Sequence, residues 1–259
     1  MIALDLRRAP VTEQLLPPHL ELTPADRDHA VREWRGRMVS EHASARVFAA
    51  LIDQMMRAGI APERQAEVAA MVGEELRHAR LCAAVVRALG ADPVAPLPPL
   101  PPVPSHEDVA PREALLRNVL SIACLEETVA VALLEAGRAR VAHEPLRGVI
   151  QVILADEIGH ARFGWRLLAE EVPELPRAAR RRLEDYLAVA MQHLFARFAR
   201  AHAGPSTTGA TAVGACAGRA DHELFLRTVD EAIIPGLEHV GLDVARALES
   251  SARGRPPLQ

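Results

Sequence analysis

Between Ile153 and Gly164 the chain reads ILADEIGHARFG, and between Val72 and Cys82 it reads VGEELRHARLC. Each stretch places a glutamate three residues before a histidine, Glu75 with His78 and Glu157 with His160, and each continues as His-Ala-Arg. On a helix such a pair shares one face. A single Glu-x-x-His carries little weight, since surface helices are rich in both residues. Here the device occurs twice, and each copy follows an apolar helical segment with an acid at its middle. Those segments are MVSEHASARVFAALI, with Glu41, and SIACLEETVAVALL, with Glu126 or Glu127. Four carboxylates in one apolar core would cost many kcal/mol without compensation. Two divalent cations would cancel them; the alternative is that the acids lie on solvated faces.

The order Glu, Glu-x-x-His, Glu, Glu-x-x-His is the ligand set of di-iron and di-manganese carboxylate bundles, in which all six side chains project inward. On these residues the chain resembles the ferritin-like superfamily from roughly Thr23 to Glu171. The expected metal ligands are Glu41, Glu75, His78, Glu127, Glu157 and His160. Both Glu126 and Glu127 have apolar residues three, four and seven positions away, so spacing alone leaves the third ligand open. Glu127 is preferred because its face includes Leu120, Ala123, Cys124, Ala130, Val131 and Leu134, where small residues leave room for metals. The resemblance agrees. A ferritin-like family without an agreed function carries a Cys-x-x-Glu-Thr-Val-Ala segment, matched by Cys124, Glu127, Thr128, Val129 and Ala130, and SEHASARVFAAL and LRHARLC match as well.

The rest of the chain fits an all-α fold. Aromatic residues are only 3% of a composition that is 49% hydrophobic, and no run alternates with the period of a strand. The expectation is a ferritin-like four-helix bundle with a long crossover and two additional C-terminal helices. Residues 1–22 form an N-terminal extension, 23–171 the metal-binding bundle, 172–250 helices packed on it, and 251–259 a frayed tail. Thr23 caps a first helix of about 50 Å that Gly59 ends. A second runs from Pro62 to Leu89, so the two form an antiparallel hairpin. Residues 92–111 contain eight prolines, which forbid regular helix and favour extended chain, long enough to travel the length of a bundle. A second hairpin, Arg112 to Gly137 and Glu144 to Glu171, puts its ligand positions near mid-helix like the first. Pro173 and Pro176 precede a fifth helix, Arg177 to His202. A loop from Ala203 to Gly218 leads to a sixth, which Pro235 should kink.

The longest apolar runs are broken by charge, which excludes a transmembrane helix. The N-terminal MIALDLRRAP has no apolar core or cleavage site of a secretory signal, so a cytoplasmic location is expected. Cys82, Cys124 and Cys216 are odd in number and lack Cys-x-x-Cys spacing, so no disulfide framework is implied, and Cys82 and Cys124 read as small buried apolar residues. Arg177, Arg180, Arg181 and Arg182 form the most basic patch. With a formal net charge of −4 and few aromatic residues, a solvated helix face is favoured over nucleic-acid binding, although a ferritin-like tRNA hydroxylase is related in chemistry.

Carboxylates with two imidazoles suit iron, manganese or zinc. Two iron ions are the expected cofactor, with manganese or a mixed pair as alternatives, and the expected function is oxidation or hydroxylation of a small molecule by dioxygen with an external electron donor. Metal storage without catalysis is the alternative, and a homodimer is open. The p-aminobenzoate N-oxygenase family carries a further histidine one turn before its last Glu-x-x-His; that position is Ile153 here, leaving His193 and His239 as candidates for a third histidine, each more readily read as a surface residue. Radical storage of the ribonucleotide reductase kind needs a tyrosine beside the metals, and Tyr186, on the fifth helix, is the only tyrosine.

Overall fold

The structure, a computed structural model, describes residues 2–8, 15–17, 20–201 and 207–245. Helix α1 (Pro24–Arg57) begins where Thr23 Oγ1 accepts a hydrogen bond from the Asp26 amide at 3.1 Å, with proline in its first turn. It ends at Gly59, whose φ of +69° lets the Ile60 amide reach back to the Met55 carbonyl at 3.0 Å. Helix α2 (Pro62–Ala88) then returns alongside α1. Arg27, in the first turn of α1, donates to the Leu89 carbonyl at 2.7 Å and ties the two ends together.

The proline-rich crossover carries the chain back along the bundle. It starts beside the beginning of α1 and finishes beside its end, where Asn118 donates to Gln54 Oε1 at 2.8 Å and to the Pro104 carbonyl at 2.7 Å. Its first residues form β2 (Val94–Pro96), which pairs antiparallel with β1 (Ala3–Asp5), Leu4 opposite Ala95. That ribbon departs from the expectation of no strands. Three-residue strands are too short to display a period, and proline on an edge strand leaves no ladder donor to satisfy.

The third bundle helix is continuous from α3 (Pro111–Val119) through a π-helical stretch, Leu120–Glu126, into α4 (Glu127–Arg140). It ends three residues beyond the expected Gly137. Helix α5 (Glu144–Glu171) packs back against α4 and against α2, closing the bundle. The C-terminal part adds α6 (Arg177–Ala201), α7 (Thr208–Ala212), α8 (Arg219–Thr228), a π-helical Val229–Ile233 and α9 (Ile234–His239). Part of the expected 203–218 loop is therefore helical. Pro235, where a kink was expected, falls in the first turn of α9 just after the π-helical stretch, where its missing amide donor is tolerated. His202 and the 251–259 tail lie outside the described residues.

Apolar burial is divided in two. One cluster holds Phe48, Leu51, Met71, Leu120, Cys124, Phe163 and Leu167; the other holds Trp34, Met38, Cys82, Val85, Ile150 and Ile153. On α1, α2 and α5 a polar layer lies between them. Met38 and Phe48 flank Glu41, Met71 and Cys82 flank Glu75 and His78, and Ile153 and Phe163 flank Glu157 and His160. Polar groups at that depth must satisfy one another or bind an ion.

Candidate metal centre

The polar layer brings together Glu41, Glu75, His78, Glu127, Glu157 and His160, one or two side chains from each bundle helix. They fall into two groups whose ligand atoms lie within 4.8 Å of one another: Glu41, Glu75, His78 and Glu157; and Glu75, Glu127, Glu157 and His160. Glu75 and Glu157 belong to both. Glu157 places Oε1 3.3 Å from His78 Nδ1 and Oε2 2.9 Å from His160 Nδ1. Glu75 does the same in mirror image, with Oε1 3.3 Å from His160 Nδ1 and Oε2 3.9 Å from His78 Nδ1. Glu41 lies only on the His78 side, 3.7 Å from its Nδ1. All but Glu41 are buried, and the Glu41 side chain retains 16% of its exposure.

Each histidine turns its other nitrogen outward to an acid on the opposite helix. His78 Nε2 lies 2.8 Å from Asp156 Oδ2, and His160 Nε2 lies 2.9 Å from Glu74 Oε2. Asp156 and Glu74 are the residues just before Glu157 and Glu75, so each motif supports the other motif's histidine. The acid doublets Glu74-Glu75 and Asp156-Glu157 were the signal in the sequence for this exchange. A carboxylate on one nitrogen fixes the tautomer and leaves Nδ1 free to ligate.

Electrostatics of the metal-free cluster follow from burial and mutual contact. Burial pushes Glu75 up to about 8, assisted by the charges of Glu157 and Glu41 against the hydrogen bond of His160. It also holds Glu127 well above the usual carboxylate range, with the Glu157 charge adding to it. For Glu157 burial works in the same sense, but the hydrogen bond with His160 and the close approach of the His78 ring overcome it and keep its carboxyl below that range. Burial disfavours imidazolium, yet Glu157, Glu41 and Asp156 raise His78 to about 11, and Glu157 and Glu75 raise His160 to about 10. Without metal, protons on the imidazoles balance the carboxylates. Two buried polar atoms, Glu75 Oε2 and His78 Nδ1, still have no hydrogen-bond partner.

The π-helical turn ends at Glu126, and Glu127 turns into the layer while Glu126 forms an ion pair with Arg197 of α6 at the surface. Close approach of α5 to this turn depends on Gly164, where a Cβ would come within 2.6 Å of Ala123 Cβ and 2.8 Å of its carbonyl carbon.

A cavity of about 400 Å³ opens onto the layer from between α1 and α4, with Glu41, Glu75, Glu127 and Glu157 at its floor. The C-terminal helices contribute its cover, with Arg197, Phe198, Cys216 and Asp221 in the wall. Trp34 on α1 anchors that cover by donating Nε1–H to the Val213 carbonyl at 2.8 Å. A more open depression of about 610 Å³, between α2 and α5, reaches His160, Glu74 and Asp156.

A solved structure from Synechococcus, protein 19 with aldehyde deformylating oxidase activity, is similar to this chain at 16% identity, with a TM-score of 0.61 over 89% of this chain and 98% of that one. The fold is ferritin-like. Neither a protein-family model nor a curated protein matches the chain. Together the bundle and its carboxylate and imidazole cluster suggest a dinuclear metal site.

His193 and His239, the candidates for a third histidine, are exposed and stand outside the cluster. Tyr186 lies against Ser121, its hydroxyl 3.1 Å away, and edge-on to His106. Burial pushes the Cys82 and Cys124 thiols well up, which suits small apolar groups in the two cores. Of the four arginines of the basic patch at the start of α6, Arg182 is paired with Glu113 and Arg180 donates to the Val172 and Pro173 carbonyls, so half the patch serves the fold. No helix among the described residues is long and apolar enough to cross a membrane.

Proposed function

We propose that the chain is a non-haem dinuclear oxygenase, with two iron ions held by Glu41, Glu75, His78, Glu127, Glu157 and His160, acting on a small molecule in the cavity between α1 and α4. The observation that carries the reading is the sharing of Glu75 and Glu157 between two four-residue groups, each completed by its own glutamate and its own imidazole. The donor set fits the metal. Four carboxylates balance two divalent cations once both imidazoles are neutral, and the unpartnered Glu75 Oε2 and His78 Nδ1 are buried atoms that a cation would satisfy.

Bound iron would supply electrons to dioxygen, which is chemistry no side chain here provides. The chain's contribution is placement. Glu75 and Glu157 would help hold both ions, Glu41 and Glu127 would each help hold one, and His78 and His160 would complete the two sets. Asp156 and Glu74 hold the Nε2 protons away from the ions. Glu41 and Glu127 face the cavity, so substrate approaches from their side, and Ala130, Leu133, Leu134 and Phe198 keep that approach partly apolar. In a hydroxylation, dioxygen takes two electrons from a substrate C–H bond and two, with two protons, from an external donor, giving an alcohol and water.

The test is anaerobic loading with excess ferrous iron, exposure to oxygen and gel filtration. About two irons retained per chain, with oxygen uptake renewed only after each reduction, is the expected result. Retention of tens of irons per chain would reject the oxygenase in favour of storage.

A further inference from the structure

The cavity over the metal layer has three arginines in its wall, Arg32, Arg37 and Arg197. They are not equivalent. Arg197 is committed to Glu126 and also donates to Ser40 Oγ at 3.4 Å, while Arg32 is exposed at the outer end. The acid on the far wall, Asp221, is likewise taken: Arg140 grips both its oxygens at 2.8 and 3.2 Å. Arg37 is different. It is half-buried, and its guanidinium lies over the Trp34 ring, 4.7 Å from the centroid. Trp34 is itself completely buried and fixed by the Val213 carbonyl, so this stacking holds the cation in one place. Glu33, one turn back, also lines the cavity, yet Arg37 leans on Trp34 and forms no ion pair with it or with any other acid among the described residues.

A half-buried guanidinium that forms no ion pair has lost hydration that an anion would restore, and its planar fork matches a carboxylate with two parallel hydrogen bonds. Arg37 precedes Glu41 by four residues, about 6 Å along the helix axis. An acid held there lies one helical turn from the metal layer, with Leu133, Leu134, Ala130 and Phe198 beside its middle. We infer that the substrate is a small organic acid, its carboxylate on Arg37, its apolar part against Leu133, Leu134 and Phe198, and its far end at Glu41 and Glu127. The inference rests on the oxygenase reading for the word substrate; the binding preference stands apart from it. A cavity of about 400 Å³ accommodates a short chain or a single ring.

The test uses hexanoate and phenylacetate, each against its neutral amide, titrated calorimetrically into metal-loaded protein whose metal content is measured on the same sample. Each acid should bind at least about tenfold more tightly than its amide. Arg37→Gln should bring that ratio close to one, Arg37→Lys should recover part of it, and Arg32→Gln should leave it unchanged. An acid-to-amide ratio near one in the unaltered chain, or no saturation by either acid up to about 10 mM, would overturn the inference. So would a preference that survives Arg37→Gln, because the carboxylate would then be sitting on the metals. A chain that takes up no metal but keeps an Arg37-dependent preference would fail the oxygenase reading alone. Two metals without such a preference would fail the inference alone.

Discussion

His78 on α2 places its Nε2 2.8 Å from Oδ2 of Asp156 on α5. The partner arrangement, His160 to Glu74 at 2.9 Å, makes the two motifs support each other across the bundle. Replacing Asp156 by Asn exchanges a carboxylate for a neutral group and lowers the basicity of the His78 ring. Asp156→Asn should therefore weaken metal affinity about 10- to 100-fold at one of two sites, and Glu74→Gln should do the same at the other. Competition with a chelator reads this directly. Equal losses at both sites in either variant would contradict the pairing.

Glu126 and Glu127 separate on the same argument. Glu127 is buried in the layer, whereas Glu126 meets Arg197 at the surface, an ion pair of the kind worth little to stability. Glu127→Ala should abolish one metal, and Glu126→Ala should leave both. Loss of metal in Glu126→Ala alone would reverse the assignment.

Protons and metal compete for the cluster. In the metal-free protein His78 and His160 are raised from an ordinary value near 6.5 to about 11 and about 10, so they stabilise the fold below 6.5 and lose that contribution as pH rises toward those values. Glu75, raised from 4.5 to about 8 by burial, prefers its protonated form when folded, and its effect also turns unfavourable as pH climbs from 4.5 to 8. Between about pH 6.5 and pH 8 both trends act together in one direction, and the melting temperature of metal-free protein should fall. Binding requires neutral imidazoles and ionised carboxylates, so affinity should rise over the same window. Melting curves and chelator competition at about pH 6 and pH 8.5 test the pair of trends; a metal-free Tm that rises, or an affinity that stays flat, would contradict them.

Gly164 governs how closely α5 meets the π-helical turn. A methyl group there would meet Ala123 backbone atoms that have no free rotor to yield. Gly164→Ala should cost about 1–3 kcal/mol by overpacking, despite alanine's better helix propensity. Gly36→Ala is the control. It lies on α1 with open space around the new Cβ, so it should gain up to about 1 kcal/mol. Denaturant unfolding of the two variants should move in opposite directions; a neutral Gly164→Ala would mean that the helices can part.

The bundle was legible because its ligand helices repeat one short pattern, and because Thr23, Gly59, Pro62 and the eight prolines of 92–111 mark ends with local chemistry. The six clustered residues were legible for a related reason: Glu75, His78, Glu157 and His160 fall in the doubled Glu-x-x-His, Glu41 sits at the middle of an apolar helical segment, and Glu127 was separated from Glu126 by the small residues on its face. What the sequence hid is tertiary. Leu120–Glu126 has no residue that demands a π turn, and the turn is visible only once α5 and α6 pack on it. The β1–β2 pairing joins segments some ninety residues apart and depends on no local signal. Asp156 and Glu74 open the two acid doublets, but which histidine each serves shows only once the two motifs face each other. Arg37 was one of many arginines until Trp34 and the C-terminal helices enclosed it.

The central claim is that these four helices hold two metal ions through shared glutamates, and anaerobic titration of metal-free protein with ferrous iron addresses it most directly. Two ions per chain should bind, and Glu157→Ala, which removes a ligand common to both groups, should eliminate most binding at both. Fewer than one ion per chain under saturating iron, or unchanged binding of two in Glu157→Ala, would contradict the account.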